Sequence, residues 1–284
     1  MMKAPIVIFG FNRPDAFARL VDSLKRNSGY SDREIYVFVD GHRNKKEKTR
    51  VDSVERMARQ LTANVVRSSH NKGLARSVIE GVTAVIERHG CAIVLEDDLV
   101  LMPGFLQYMD EALDFYADDE RIFSVCGYGL KIKRPKGYDG DVYLGIRSSS
   151  WGWATWKDRW DTVDWEVSDW QQLSESKKMQ KAFNAGGSDM YGMLKDFMEG
   201  RNNSWAIRFC YAQHRQGRYS LHPFRSLVAN EGFGIDATNC RQKYSRFKIE
   251  LDDTGQPLSL PSPIDPNQDI IAQNARYHSF FIRL

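Results

Sequence analysis

At 284 residues, 42% hydrophobic and 27% charged, the chain has globular composition and enough length to bury a sizeable core, which excludes disordered, collagen-like and disulfide-stapled classes. A formal net charge of +3 is too mild for a dedicated nucleic-acid binder and suits, at most, an acidic or phosphorylated partner. Cys91, Cys126, Cys210 and Cys240 are widely spread, with no CxxC pair and no metal-ligand spacing, so they read as free thiols of a reducing, cytoplasmic compartment.

The opening stretch APIVIFGFN reads as a buried strand whose apolar run breaks at Asn12 and Arg13, short of a secretory or membrane-spanning segment. RPDAFARLVDSLKRN follows, with Phe17, Leu20, Val21 and Leu24 at helical spacing and Pro14 in the first turn. REIYVFVDG is a second strand ending in Asp40 and Gly41, EKTRVDSVERMARQL a second helix and ANVVRSS a third strand. LARSVIEGVTAVIERHG is a third helix closed by Gly90, and CAIVLEDD a fourth strand. This alternation predicts an α/β domain with a mostly parallel sheet flanked by helices.

Ligands of such sheets bind beyond the carboxyl ends of the strands. Asn12 and Arg13, Asp40, His70 and Asn71, and Glu96 to Asp98 stand at four such ends. Each has an ordinary explanation alone: an Asp before Gly forms turns, and Pro opens a helix. Together they point to one site on one edge.

Glu96, Asp97 and Asp98 are three adjacent carboxylates, and something must offset their repulsion. A helix N-terminus would do so, and PGFLQYMDEALDFYADD reads as helical from Pro103, but LVLM lies between. The other solution is a hard divalent cation, Mn²⁺ or Mg²⁺, which keeps waters and a substrate phosphate as further ligands. Neither GxxxxGK[ST] nor GxGxxG occurs, so a diphosphate would be held by the metal and by cations such as Arg13, Lys72 or Arg76, near Asn71.

The order FNRP, VDG, HNKGLARS, EDD and MPGFLQYMDEAL resembles the GT-A fold of nucleotide-sugar-dependent glycosyltransferases. Within that fold the chain is similar to the family of the Golgi N-acetylglucosaminyltransferase I and its bacterial relatives, also across IFSVCGYG, SSSWGWATWKDRW and HPFRSLVANEGFG, so that most residues from Pro5 to Cys240 are covered. The resemblance implies a GT-A (Rossmann-like) domain over residues 1–240, with a nucleotide-sugar half at 1–110, an acceptor-side half at 111–240 and a C-terminal extension at 241–284. It implies that Phe9, Asn12, Arg13 and Asp40 form the uridine pocket, that Asp97 faces the donor ribose or sugar, and that Asp98 ligates the metal. Glu96 would orient this group from behind.

Six of the seven tryptophans lie between residues 151 and 170. Trp156, Trp160 and with them Trp153 fit one face of a helix and read as core packing. The resemblance assigns Trp151, Gly152 and Trp153 to the donor sugar and acceptor, with Trp156 and Trp160 left in the core. The family's catalytic base is an Asp in a Trp-Asp-Asp segment, whereas here Trp205 is followed by Ala206 and Ile207. Of Asp189, Asp196, His214 and Asp236, Asp196 is the preferred candidate base, since it lies in the segment leading into the next helix. Bacterial relatives carry a Thr-His-Cys where this chain has Thr238, Asn239 and Cys240.

The proline-rich tail reads as a linker packed over the body, with RYHSFFIRL free to dock on it or on a membrane surface. The expectation is an inverting, metal-dependent transferase taking a UDP-sugar, UDP-N-acetylglucosamine first, to a saccharide or lipid-linked saccharide acceptor in bacterial surface polysaccharide or lipopolysaccharide synthesis. Nucleic acid is not an expected partner, and peripheral attachment to the inner membrane face is compatible with it. Two alternatives stand beside it. One is a sugar-nucleotide nucleotidyltransferase, against which the absence of a Gly-rich basic loop in FGFNRPDAF counts. The other is a catalytically silent nucleotide- or sugar-binding protein, which the missing base keeps open.

Overall fold

Four parallel strands, three of them buried and the edge strand half exposed, and the helices between them build one side of the molecule in the computed structural model, which describes residues 3–232 and 251–279. They are β1 (Ile6–Gly10), α1 (Pro14–Lys25), β2 (Ile35–Val39), α2 (Lys45–Leu61), β3 (Asn64–Arg67), α3 (Leu74–His89) and β4 (Cys91–Glu96). β1 is buried at every position, as a central parallel strand covered on both faces must be. Phe17, Leu20 and Leu24 bring α1 onto the sheet, each burial worth about 1.5–3 kcal/mol. α3 ends at Gly90 in the left-handed conformation, φ 80°.

The chain continues through β5 (Leu99–Leu101), α4 (Phe105–Phe115), β6 (Ile122–Cys126), β7 (Val142–Gly145) and β8 (Trp153–Trp156). Then come the short helices α5 (Lys157–Trp160), α6 (Trp170–Glu175) and α7 (Lys177–Phe183), followed by α8 (Met190–Met198), α9 (Trp205–Arg215), β9 (Tyr219–Pro223), β10 (Val228–Asn230) and α10 (Gln268–Tyr277). Eight strands form one sheet in the order β3-β2-β1-β4-β8-β6-β9-β7, and β10 pairs with β5 in a small second sheet. The pairs β3–β2, β2–β1, β1–β4 and β6–β9 are parallel, while β8 enters antiparallel between β4 and β6. The sheet therefore crosses residue 110 without a break.

The tryptophan segment differs from the expected helix. Trp153 to Trp156 are a strand at the centre of the sheet, buried on both faces, and only one helical turn follows. A four-residue strand with no exposed face shows no alternation, so the spacing of its rings imitates a helix. Trp156 and Trp160 are core, at 6% and 2% exposure.

The C-terminal stretch crosses the body: Tyr116 donates to the Pro261 carbonyl at 2.7 Å, Ser259 N–H to Asp141 at 2.9 Å, and Ile264 and Ile270 are buried. No helix among the described residues is long and apolar enough to cross a membrane. Cys91, Cys126 and Cys210 are free and buried, while Cys240 lies outside the described residues with Asp236, Thr238, Asn239 and the last five residues.

Candidate functional site

The acidic triplet is fixed by its neighbour strand. β1 runs parallel to β4 with Phe9 opposite Glu96, so the chain leaving β1 passes the two carboxylates that follow. Asp97, 2% exposed, accepts the Phe11 N–H at 3.0 Å and an Arg13 N–H. Asp98 accepts from Arg13 Nη1 at 2.8 Å and from Asn230 Nδ2 at 3.4 Å. The charge that offsets the triplet in this structure is the Arg13 guanidinium, supplied one residue ahead of the proline that opens α1. Its own pKa rises, because Asp97 and Asp98 together outweigh burial.

Glu96 makes no hydrogen bond or ion pair with the described residues. Burial pushes its carboxyl up to about 8, with Asp98 and Asp97 adding to the rise. Burial also lifts Asp97, to about 6, against the pull of Arg13. Burial, more than mutual repulsion, is what raises these two carboxyls.

Asp40 ends β2 and is spent on its own surroundings. It accepts from the N–H groups of Gly41 and Lys72 at 2.8 Å, from Gly73 N–H at 2.9 Å and from Asn71 Nδ2 at 2.9 Å. The turn-forming reading of this Asp therefore describes its contacts, and the turn it organises delivers the N-terminus of α3.

These strand ends open into one cavity of about 510 Å³. Phe9, Asn12, Arg13, Asp40, Asn71, Glu96, Asp97, Asp98 and Trp151 line it. The other predicted residues among those described do not. Arg76 is exposed and pairs with Glu80 at 2.6 Å, and Lys72 pairs with the same carboxylate at 2.7 Å. Trp153 is 1% exposed, its ring 5.0 Å from that of Trp205, so its placement at the sugar is corrected to core. Gly152 packs under Phe105 and its carbonyl accepts the Gly127 N–H at 2.6 Å. Asp196, the candidate base, lies on α8, half exposed, with Arg201 Nε at 2.9 Å, and is not among the residues that line the cavity.

Several lining residues were not singled out from sequence. Asn202, Asn203, Ser204, Trp205 and Ala206 present the start of α9 to the cavity, with Ser204 capping that helix through the Ile207 N–H at 3.3 Å. Nothing in the string marks the amides and the ring of this segment as a wall. Arg43 lies three residues beyond the Asp40 strand end, its guanidinium 5.1 Å from the Phe11 ring centroid, and the strand-end rule extended by one turn would have found it. Asn230 and Gly232 arrive only through the pairing of β10 with β5, for which no local signal exists. A Cβ on Gly232 would stand 2.1 Å from Asp98 Oδ2, so only glycine lets the backbone pass the carboxylate.

No three Asp, Glu, His or Cys side chains among the described residues converge on a single ion position. The donor set fits a hard cation that takes one or two carboxylates from the protein and completes its shell with phosphate and water, which is how Mg²⁺ is usually held. It does not fit a metal enclosed by protein ligands.

Among solved structures, the chain is similar to GalNAc-T7, described with UDP, GalNAc and Mn²⁺ (12% identity, TM-score 0.50, 81% of this chain and 44% of that one). It also matches the mannosyltransferase PcManGT of Pyrobaculum calidifontis, described with GDP-Man and Mn²⁺ (11%, 0.40, 76% and 69%), and S. aureus TarS 1-349 (10%, 0.44, 81% and 61%). The chain thus spans less than half of the GalNAc-T7 chain. Curated protein sequences give no match. Residues 6–192, well over half the chain, match the model of glycosyl transferase family 2, and with a GT-A sheet that gathers its acidic strand end into a cavity, this chain belongs to that family.

Proposed function

We propose that the protein is a metal-dependent, inverting glycosyltransferase that takes a sugar from a UDP-linked donor, UDP-N-acetylglucosamine first, to a saccharide or lipid-linked saccharide acceptor. The observation that supports this most is the placement of Glu96, Asp97 and Asp98 at the carboxyl edge of the parallel strands, open to the cavity of about 510 Å³ in a family 2 chain. The choice of UDP and of N-acetylglucosamine rests on the sequence resemblance, and the GalNAc-T7 structure with UDP and Mn²⁺ is compatible with it. Synthesis of a bacterial surface polysaccharide or lipid-linked glycan is the setting the same resemblance suggests.

In this reading Phe9 and Phe38, stacked at 5.5 Å, border the nucleobase end, with Asn12 and Asn71 as polar partners. Asp98 offers the metal ligand, Glu96 a water- or ribose-facing carboxylate, and Asp97 holds Arg13 in place. A divalent cation, when bound, neutralises the charge that grows on the departing diphosphate. Arg13, released from Asp98, is the nearest cation for the phosphate oxygens, and a guanidinium suits their geometry. Trp151 offers an apolar face to a sugar ring, and the amides of Asn202 and Asn203 and the hydroxyl of Ser204 match neutral hydroxyl groups. The acceptor hydroxyl oxygen attacks the anomeric carbon as the bond from that carbon to the diphosphate oxygen breaks on the opposite face, which inverts the configuration; the nucleoside diphosphate departs and the hydroxyl proton passes to solvent.

The test is a donor screen that measures nucleotide release from UDP-N-acetylglucosamine, UDP-glucose, UDP-galactose and GDP-mannose in Mn²⁺. Release from UDP-sugars, fastest with UDP-N-acetylglucosamine, is expected. Turnover of GDP-mannose alone would overturn the donor assignment, and turnover of none would overturn the enzymatic reading.

A further inference from the structure

His222 sits on β9, 4% exposed, directly across the sheet ladder from Tyr143 of β7, whose ring stacks on it at 5.4 Å and 13°. Its Nδ1 lies 3.0 Å from the Tyr128 carbonyl oxygen and its Nε2 3.0 Å from the Arg147 carbonyl oxygen. A carbonyl oxygen only accepts, and a neutral imidazole has a single N–H. Either neutral tautomer would aim a nitrogen lone pair at an oxygen in a site closed to water, so only the doubly protonated ring satisfies both contacts.

The two carbonyls flank the wall of the cavity. The Tyr128 ring meets Trp151 edge-on at 4.6 Å, and Arg147 opens the turn that runs through Ser149 to Trp151. Within that turn the Trp151 N–H donates to Ser149 Oγ at 3.3 Å, and the Ser149 N–H donates to Cys126 Sγ at 3.4 Å. His222 thus ties together the two segments between which Trp151 is held.

We propose that His222 is a positioning residue for the cavity wall: an imidazolium whose two N–H groups hold the Tyr128 and Arg147 carbonyls and so fix the Trp151 ring. The protonation state stands on geometry alone; the consequence for a sugar rests on the proposed function. The titratable groups facing the ring are the Cys126 thiol of β6 and the Tyr143 phenol of β7, with Tyr277 of α10 beyond Tyr143, while the Arg147 guanidinium turns to Asp189 at 2.8 Å. Burial works against the charge on His222, but the facing Cys126 sulfur and the two carbonyls outweigh it and raise the pKa. The same interaction lowers that of Cys126 against its own burial.

The experiment has two arms. ¹⁵N NMR of wild-type protein labelled at histidine side chains, with the His222 signals assigned by their loss in His222→Gln, should show two protonated ring nitrogens at pH 7.5. A single neutral tautomer there would overturn the proposal; where His222→Gln does not fold, the His222 signals are those retained in each single Gln variant of the other five histidines. In the second arm, UDP and UDP-N-acetylglucosamine are titrated against wild type, His222→Gln and Trp151→Ala in Mn²⁺. Both variants should weaken UDP-N-acetylglucosamine by about five- to tenfold, the worth of one aromatic contact, and leave UDP within about twofold of wild type. Equal losses for both ligands in His222→Gln would mark a general structural role and overturn the positioning claim. A wild type that binds neither ligand would refute the proposed function, while the protonation state read by NMR would still decide the claim about His222.

Discussion

In the proposed reading Arg13 and a divalent cation compete for one oxygen of Asp98, and this makes metal binding depend on the nucleotide. Arg13 Nη1 stands 2.8 Å from Asp98 Oδ2, with side-chain exposures of 29% and 11%, so the contact is largely shielded from water. A charge-assisted hydrogen bond of this kind is worth about 1.5–3 kcal/mol net, and about 1.4 kcal/mol is a factor of ten. Mn²⁺ added alone must displace the guanidinium at that cost, whereas a nucleotide diphosphate offers Arg13 a second anion. Arg13→Gln should therefore bind Mn²⁺ alone roughly 10- to 100-fold more tightly than wild type, by calorimetry without nucleotide and with folding checked by circular dichroism. In wild type, UDP should raise Mn²⁺ affinity and Mn²⁺ raise UDP affinity by the same factor, and that coupling should shrink in Arg13→Gln. A folded Arg13→Gln that binds Mn²⁺ no more tightly than wild type would refute the competition.

Other consequences are as direct. Trp153→Ala should cost about 3–5 kcal/mol in urea denaturation because its ring is packed against Trp160, Trp205 and Phe209, while Trp151→Ala should leave stability nearly unchanged and weaken sugar-nucleotide binding. Asp110 accepts from Arg33 Nη1 at 2.9 Å and from the Ala4 N–H at 3.1 Å in a pair closed to solvent, so Asp110→Ala strands a buried guanidinium. The expected loss is about 3–5 kcal/mol, and one below about 1 kcal/mol would show that the pair is solvated. His214 on α9 has its pKa lowered by burial and then by Arg215. Between that depressed value and the ordinary one near 6.5 the unfolded chain binds the proton better, so stability falls as pH drops below about 6.5. His214→Gln should flatten that slope in urea titrations between about pH 5 and 7, and an unchanged slope would assign it to other groups.

The α/β half was legible because its signals are local. Apolar runs of strand length alternate with amphipathic helices, and each strand ends in a polar residue that the parallel topology carries to the same edge. Glu96, Asp97 and Asp98 could be found that way, together with Asn12, Arg13, Asp40 and Asn71. What sequence could not give was the pairing among them. Arg13 reads as a nucleotide contact until the register of β1 with β4 sets it against Asp97 and Asp98, and Asp40 reads as a ligand until four donors are seen to occupy it. Arg76 and Lys72 look like phosphate cations in a linear string, yet Glu80 lies on the same helical face as Arg76 and takes both. The acceptor-side half was harder for a different reason. Its strands join the sheet out of sequence order, with β8 inserted between β4 and β6, so neither the central position of Trp153 nor the meeting of Asn230 with Asp98 has a local trace. Asp196 is favoured by its place in the chain, whereas the helix face that carries it pairs it with Arg201 away from the cavity lining.

The most direct measurement is calorimetric titration of UDP into wild type and Asp98→Ala, with and without Mn²⁺. UDP binding that requires Mn²⁺ and is lost in a folded Asp98→Ala is the expected result. Failure of UDP, GDP, CMP and dTDP alike to bind folded wild type in Mn²⁺ would contradict a donor site at the acidic strand end.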